Sequence, residues 1–191
     1  YTNVDGAETN KELAFRVNAE GPQNLAMAAI EANAKLVHIS TDYVFDGTKN
    51  EPYTETDQPN PLQVYGKSKL EGENLIQKTG VPGIIIRTSW LYGTHGNNFV
   101  KTILRLADEK DEIQVVDDQI GSPTYVGDLA EAILELLSKH TFHHLELLHY
   151  SNEGGKTWYE FAEKINLLCS LGCTIKLISS EILKQKAIRP S

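Results

Sequence analysis

The sequence predicts an α/β protein built on an open parallel sheet, and three stretches carry that prediction. Leu36-Val37-His38-Ile39 and Gly83-Ile84-Ile85-Ile86 are short apolar runs of the kind buried strands show. Each ends in polar side chains, Ser40-Thr41-Asp42 after the first and Arg87-Thr88-Ser89 after the second. Between them, residues 64–79 read as a helix, giving a strand–helix–strand unit. In open α/β sheets ligands gather beyond the carboxyl ends of the strands, so the polar residues at those ends are the first candidates for a functional site.

The elements follow in order. Glu12 to Asn33 reads as a helix whose apolar face carries Leu13, Val17, Leu25 and the alanines, with Gly21-Pro22 expected to bend it. The strand ending at Thr41 leads into residues 46–63, a loop rich in Pro, Asn, Asp and Thr and longer than a plain connection needs. The helix that follows places Tyr65 and Lys69 one turn apart on one face. An ammonium so placed is expected to favour the phenolate and lower the phenol's pKa from near 10, equipping it to exchange a proton with a carbonyl or alcohol oxygen. With Thr41 holding the same oxygen, the three side chains form a proton-transfer trio. Arg87 to Trp90, at the second strand end, should line the same site.

Beyond Gly93 the chain is expected to leave this first domain. Asn98 to Lys110 reads as a helix in which Lys101 and Arg105 either face a diphosphate or simply meet solvent. Strands are expected at Ile113–Val116, Leu145–Tyr150 and Thr174–Ile178. Helices are expected at Leu129–Leu137 behind an Asp128 N-cap, and at Trp158–Leu168 behind a Thr157 cap with Glu160 beside the capping-box position.

Bulk properties narrow the partners. The chain has 191 residues, 40% hydrophobic and 23% charged, with a net charge of −8, and its pI is near 5.2. That balance argues against nucleic acid and membrane surfaces as partners. No run approaches the length of a membrane helix, and a cytoplasmic setting fits the two cysteines, Cys169 and Cys173, read as free thiols. The six histidines have no zinc-type companions, so no metal is expected.

A resemblance now joins these pieces. Ser40-Thr41-Asp42-Tyr43-Val44-Phe45-Asp46-Gly47, Pro59-Asn60-Pro61-Leu62 and Tyr65-Gly66-Lys67-Ser68-Lys69-Leu70-Glu71-Gly72-Glu73 together resemble the extended short-chain dehydrogenase/reductases. Within them the chain is most similar to the dTDP-4-dehydrorhamnose reductase family. Arg87 to Gly93, Gly96 to Thr102 and Asp117 to Thr124 continue the match, and it runs nearly to the Arg189-Pro190-Ser191 end. The resemblance implies a Rossmann-like doubly wound parallel sheet with a smaller α/β substrate-binding region. Since no glycine-rich dinucleotide turn occurs in the chain, it reads as starting inside that domain, with the first βαβαβ half missing. Residues 1–92, with 120–150 returning to them, would form the nucleotide-binding part, and residues 93–119 and 151–191 the substrate-binding region.

The implied function is NAD(P)H-dependent reduction of the 4-keto group of dTDP-4-dehydro-L-rhamnose. Tyr65 would protonate the sugar oxygen, Lys69 would hold the nicotinamide ribose, and Thr41 would hydrogen-bond the reacting oxygen. Tyr1, Thr2 and Ser40, together with Tyr65 and Lys69, would contact NADPH or NADH. Thr41, Asp42 and Trp90 would contact the dTDP-sugar, Trp90 by stacking its indole on the sugar. Asn18 is expected to support the site. These residues alone are expected to bind NAD(P)H poorly, because the glycine turn that cradles the pyrophosphate is absent. A homodimer is compatible with the sequence but not fixed by it.

Related dehydratases carry Thr-Asp-Glu at the first strand end. Here Tyr43 follows Thr41-Asp42, so the carboxylate base for elimination is missing. An epimerase or another nucleotide-sugar reductase remains an alternative. So does a non-catalytic regulatory subunit of the methionine adenosyltransferase type, which shares the Ser-x-Asp-Tyr-Val-Phe-Asp-Gly stretch.

Overall fold

The structure, a computed structural model, describes residues 1–183 and 186–190. In chain order the helices are α1 (Val4–Thr9), α2 (Lys11–Phe15), α3 (Gly21–Glu31), α4 (Val64–Thr79), α5 (Phe99–Glu109), α6 (Val126–Lys139) and α7 (Trp158–Cys169). The strands are β1 (Leu36–Thr41), β2 (Gly83–Thr88), β3 (Leu91–Tyr92), β4 (Glu112–Val116), β5 (Ile120–Gly121), β6 (Thr124–Tyr125), β7 (Leu145–His149), β8 (Lys156–Thr157) and β9 (Thr174–Ile178). Two compact units result. One holds Tyr1–Thr88, Lys139–Tyr150 and residues 186–190, and the other Ser89–Ser138 and residues 151–183.

The first unit is built on a parallel sheet of order β1-β2-β7. Its centre, β2, is buried along its whole length, as a strand flanked on both edges and covered on its faces must be. Gly83 begins β2 because nothing larger fits: a Cβ there would lie 2.0 Å from the Leu36 carbonyl oxygen of β1. Ala26 of α3, Ile76 of α4, Val81 and Ile85 form a buried apolar cluster against which Leu36, Leu145 and Leu147 pack.

Helix α4 is fixed at both ends. The Gln63 side chain caps it by accepting from the Gly66 N–H at 2.6 Å, and Glu8 of α1 accepts from the Val64 N–H at 2.8 Å. Carboxylates favour this positive end of a helix. Gly80 ends it in the left-handed conformation, φ 73°.

The helix expected from Glu12 to Asn33 is helical from Lys11 to Glu31, and its irregularity takes the form of a widened π-helical turn over Arg16–Glu20. Pro22 explains it: without an N–H it cannot donate to the Asn18 carbonyl one turn earlier. The released carbonyl faces α4, where a Cβ on Gly72 would come within 2.2 Å of it. Gly72 therefore lets α4 and the π-turn touch backbone to backbone.

The second unit pairs β4 with β9 in parallel, β3 with β6 in parallel and β5 with β8 antiparallel. Ile103 of α5, Ile113 and Val115 of β4, Ala162 and Ile165 of α7, and Ile175 of β9 form its core. The capping box of α7 is complete, with Thr157 and Glu160 each accepting from the other's backbone N–H. Asp128 is not an N-cap as expected: α6 begins two residues earlier, and the Asp128 carboxylate instead accepts from the Asn152 side chain at 2.6 Å.

By packing, the first unit runs to Thr88 and resumes over Lys139–Tyr150. Within the second unit, β5 and β6 are tied to β8 and β3, and Asn152 holds both Asp128 and the Tyr125 N–H. Ser191 lies outside the described residues.

Candidate active site

At the carboxyl end of β1 the chain turns into a single 3-10 turn, Asp42–Val44. The Thr41 hydroxyl accepts from the Tyr43 N–H at 3.2 Å and donates to Asp42 Oδ1 at 3.0 Å. Helix α4 passes directly over this turn, because residue 66 is glycine: a Cβ there would sit 2.0 Å from the Tyr43 carbonyl oxygen. The close approach brings Tyr65 to the strand end. Its phenol hydrogen-bonds the Thr41 hydroxyl, and its ring meets Tyr43 edge-on, centroids 5.6 Å apart.

Lys69, one turn along, donates to the Ile39 carbonyl at 2.7 Å and lies 3.5 Å from His38 Nε2. The structure thus brings Thr41, Asp42, Tyr65 and Lys69 together within one unit. Asn18, buried in the π-turn, donates to the Ser68 hydroxyl and the Tyr1 carbonyl, each at 3.0 Å. Ser68 in turn donates to the Tyr65 carbonyl at 2.7 Å. Asn18 therefore supports α4 at the turn that carries Tyr65. π-Turns recur at functional sites because the widened loop frees a backbone group. Tyr1 is half-buried and Thr2 exposed.

The electrostatics correct one expectation. Burial pushes the Tyr65 phenol up to about 12, with Asp42 adding to the rise and the Thr41 hydrogen bond opposing it. Lys69 is not among the groups that shift the phenol; its ammonium donates to the Ile39 carbonyl of β1. Its own pKa is lowered by burial, against the attraction of Glu73. Burial, aided by Lys69, likewise lowers His38 to about 4. His38 is thus neutral at physiological pH, and its Nε2 is able to accept from the ammonium. Burial raises the Asp42 carboxyl to about 6, although hydrogen bonds from Thr41 and the local backbone pull the other way.

Ser40, expected at the cofactor, donates its hydroxyl to Glu73 Oε1 in a buried contact. Arg87, expected to line the site, meets the same carboxylate. Its guanidinium forks onto Glu73 at 2.6 to 3.2 Å, with the side chains only 4% and 6% exposed. Glu73 was not singled out by sequence reasoning. Its signal was spacing, since it lies one turn beyond Lys69 on the same face of α4.

Thr88, paired in register with Thr41, carries a buried hydroxyl without a hydrogen-bond partner among the described residues. Such a group at a strand end invites a ligand or a water.

Trp90 belongs to the second unit. It stacks on Trp158, centroids 3.4 Å apart at 7°, and a side chain at Gly121 would run into its indole. Its backbone is left-handed, φ 47°, a conformation that costs an ordinary residue about 1–2 kcal/mol. One indole face is therefore already occupied by Trp158. Phe99, Phe161, Tyr92 and Tyr125 extend this aromatic cluster. Of the basic pair on α5, Arg105 pairs with Glu109 at 2.9 Å, with both side chains at least half exposed, and Lys101 is exposed. That is a solvated face.

A hydroxyl, a phenol and an ammonium assembled at the carboxyl edge of a parallel α/β sheet define the short-chain dehydrogenase/reductase type of Rossmann-like fold. The comparisons narrow this further. Residues 1–191 match the family described as the RmlD substrate binding domain, and the chain belongs to that family.

It is 45% identical over its full length to the spore coat polysaccharide biosynthesis protein SpsK of Bacillus subtilis, covering 66% of that protein. It is 49% identical to a dTDP-4-dehydrorhamnose reductase of Aggregatibacter actinomycetemcomitans, over 85% of this chain and 56% of the relative. The crystal structure of a dTDP-4-dehydrorhamnose reductase from Bacillus anthracis, in complex with NADP, superposes with a TM-score of 0.95 at 46% identity. That match covers all of this chain and 66% of the other. The chain thus spans between about half and two thirds of the length of these relatives.

Proposed function

We propose that the protein to which this chain belongs reduces the 4-keto group of dTDP-4-dehydro-L-rhamnose to dTDP-L-rhamnose with NADPH. The observation that carries this reading is the Thr41–Tyr65–Lys69 arrangement, with a phenol that burial keeps protonated. Reduction of a ketone requires an acid at the carbonyl oxygen. The NADP-bound Bacillus anthracis relative supports the phosphorylated cofactor over NADH.

When bound, the cofactor supplies the hydride. The chain's residues do the rest. Tyr65 donates its proton to the sugar C4 oxygen, and Thr41 holds that oxygen in line. Lys69 has three N–H donors; two directions are taken by Ile39 and His38, and the third is available to a ribose hydroxyl. The residues present therefore fit the nicotinamide end of the cofactor. Trp90, with one face on Trp158, offers its remaining surface to the deoxysugar. Asp42 contributes beside Thr41.

The aqueous, cytoplasmic setting of a nucleotide-sugar enzyme fits the charge of −8, and among the described residues no helix is long and apolar enough to cross a membrane. The same charge disfavours nucleic acid as a partner. A homodimer is the simplest assembly for such an enzyme.

NADPH oxidation followed in the complete protein, with and without the 4-keto sugar, tests the reading. Turnover that requires the sugar is expected. Interconversion of sugar epimers without net NADPH consumption would indicate the epimerase alternative. Binding to a methionine adenosyltransferase without turnover would indicate the regulatory subunit.

A further inference from the structure

Each proton that Tyr65 gives away must be replaced before the next turnover, and the phenol is buried. Its hydrogen-bond partner is the Thr41 hydroxyl. That hydroxyl has one proton and two neighbours able to accept it: the phenolic oxygen and Asp42 Oδ1, the latter at 3.0 Å. The Thr41 hydroxyl thus stands between the Tyr65 phenol, on whose charge it acts, and the Asp42 carboxyl at the start of the 3-10 turn.

The Asp42 carboxyl differs from a usual capping aspartate. It sits among the Tyr43 and Tyr65 phenols, and no cation is among the groups that set its charge state. Arg189, which acts on Tyr43, is paired with Asp5 at 2.9 Å. Nothing therefore holds Asp42 as a carboxylate except hydrogen bonds from Thr41 and the local N–H groups, and burial outweighs these. A carboxyl so placed exchanges a proton near neutrality, which a solvated aspartate does not.

We propose that Asp42 is the proton source that restores Tyr65 after each reduction, through the Thr41 hydroxyl. The inference rests on the reductase reading above. The steps balance. Tyr65 O–H breaks as its proton joins the new alcohol oxygen, leaving a phenolate. The Thr41 hydroxyl swings its proton from Asp42 to the phenolate and simultaneously receives the carboxylic proton of Asp42. Tyr65 and Thr41 end as they began, Asp42 ends as carboxylate, and one solvent proton returns it to the acid. No electron moves in the relay.

Asp42→Asn tests this, because the amide oxygen still accepts from Thr41 while the side chain carries no acidic proton. In the complete protein, with NADPH and dTDP-4-dehydro-L-rhamnose, rapid mixing separates the first reduction from steady turnover. The first reduction draws on the proton already on Tyr65, and in Asp42→Asn it should slow less than about threefold. Steady-state kcat should fall at least about tenfold, less than the roughly 100-fold or more contributed by a group acting directly on the reacting atom. Thr41→Ser, which keeps the hydroxyl, should retain most of the turnover.

A second readout needs no catalysis. Infrared titration from about pH 8 to about pH 4 should show a protonated-carboxyl band forming well above the usual aspartate range, and the Asn variant should lack it. Equal losses in the first and later reductions would overturn the relay and leave Asp42 a substrate contact. An unchanged kcat, or no such band, would also overturn it while leaving the reductase reading intact. Absence of sugar-dependent NADPH oxidation in the unmodified protein would instead defeat the reductase reading, and the relay with it.

Discussion

Replacing Glu73 by Gln should destabilise the protein by about 3–5 kcal/mol, the usual cost of stranding one partner of a buried ion pair. Glu73 is the one carboxylate in contact with the Arg87 fork among the described residues, at 2.6, 3.0 and 3.2 Å, and both side chains are almost fully buried. At about 3 Å and an effective dielectric of about 20, the gross attraction is about 5 kcal/mol. The amide keeps the shape and one acceptor for Ser40 but cancels the charge, so the guanidinium remains buried beside His149 and the Phe45 ring. Urea unfolding reads the loss directly, since a slope of about 2 kcal/mol per molar converts it into a midpoint lowered by about 2 M. The Glu73→Leu, Arg87→Leu double variant should recover most of the loss, because it removes both charges. A Gln variant within 1 kcal/mol of the parent, or a double variant worse than the single, would refute the view that this pair is a fully desolvated element of the sheet.

Three other outcomes follow from the same geometry. Tyr65→Phe should lower kcat at least about 100-fold with little change in NADPH affinity measured by fluorescence; a loss under tenfold would remove Tyr65 from the chemistry. Gly72→Ala should cost about 2 kcal/mol in thermal or urea unfolding, because its Cβ meets the Asn18 carbonyl at 2.2 Å and backbone cannot swing aside; unchanged stability would show that the helices do not touch there. His38, lowered from 6.5 to about 4, gives up stability as pH falls through that window, since the unfolded chain takes the proton first, whereas Asp42, raised from 3.8 to about 6, gains stability over much of the same window. His38→Gln should therefore raise relative stability at about pH 4.5 by about 2 kcal/mol over its value at neutral pH, and acid melts as steep as the parent's would refute the assignment.

The sheet was legible because β1 and β2 announce themselves as apolar runs, and α4 because its Tyr and Lys share a face. Thr174–Ile178 and the Thr157 cap were readable for the same local reasons, while the full capping box with Glu160 emerged only in the structure. What escaped depends on the third dimension. Nothing local says that Ser40 and Arg87, far apart in sequence, converge on Glu73. The short strands β3, β5, β6 and β8 are two residues each and exist through their partners, not through any periodicity. The stacking of Trp90 on Trp158 was equally invisible, since a lone tryptophan carries no sign of what covers it.

The pKa of Tyr65 is where sequence logic and packing disagree most usefully. Spacing alone suggests that an ammonium one turn away should make the phenol acidic. Packing sends that ammonium to the Ile39 carbonyl and lets burial dominate, so the phenol rests protonated. For a ketone about to become an alkoxide, a resting phenol is the useful state, because the proton must be present when negative charge appears on oxygen. A phenolate would suit the opposite demand, removal of a proton from an alcohol. The same burial that keeps Tyr65 loaded also slows its reloading from solvent. The site then needs an internal donor whose own proton is loosely held, and the carboxyl two bonds along the chain of hydroxyls is such a group.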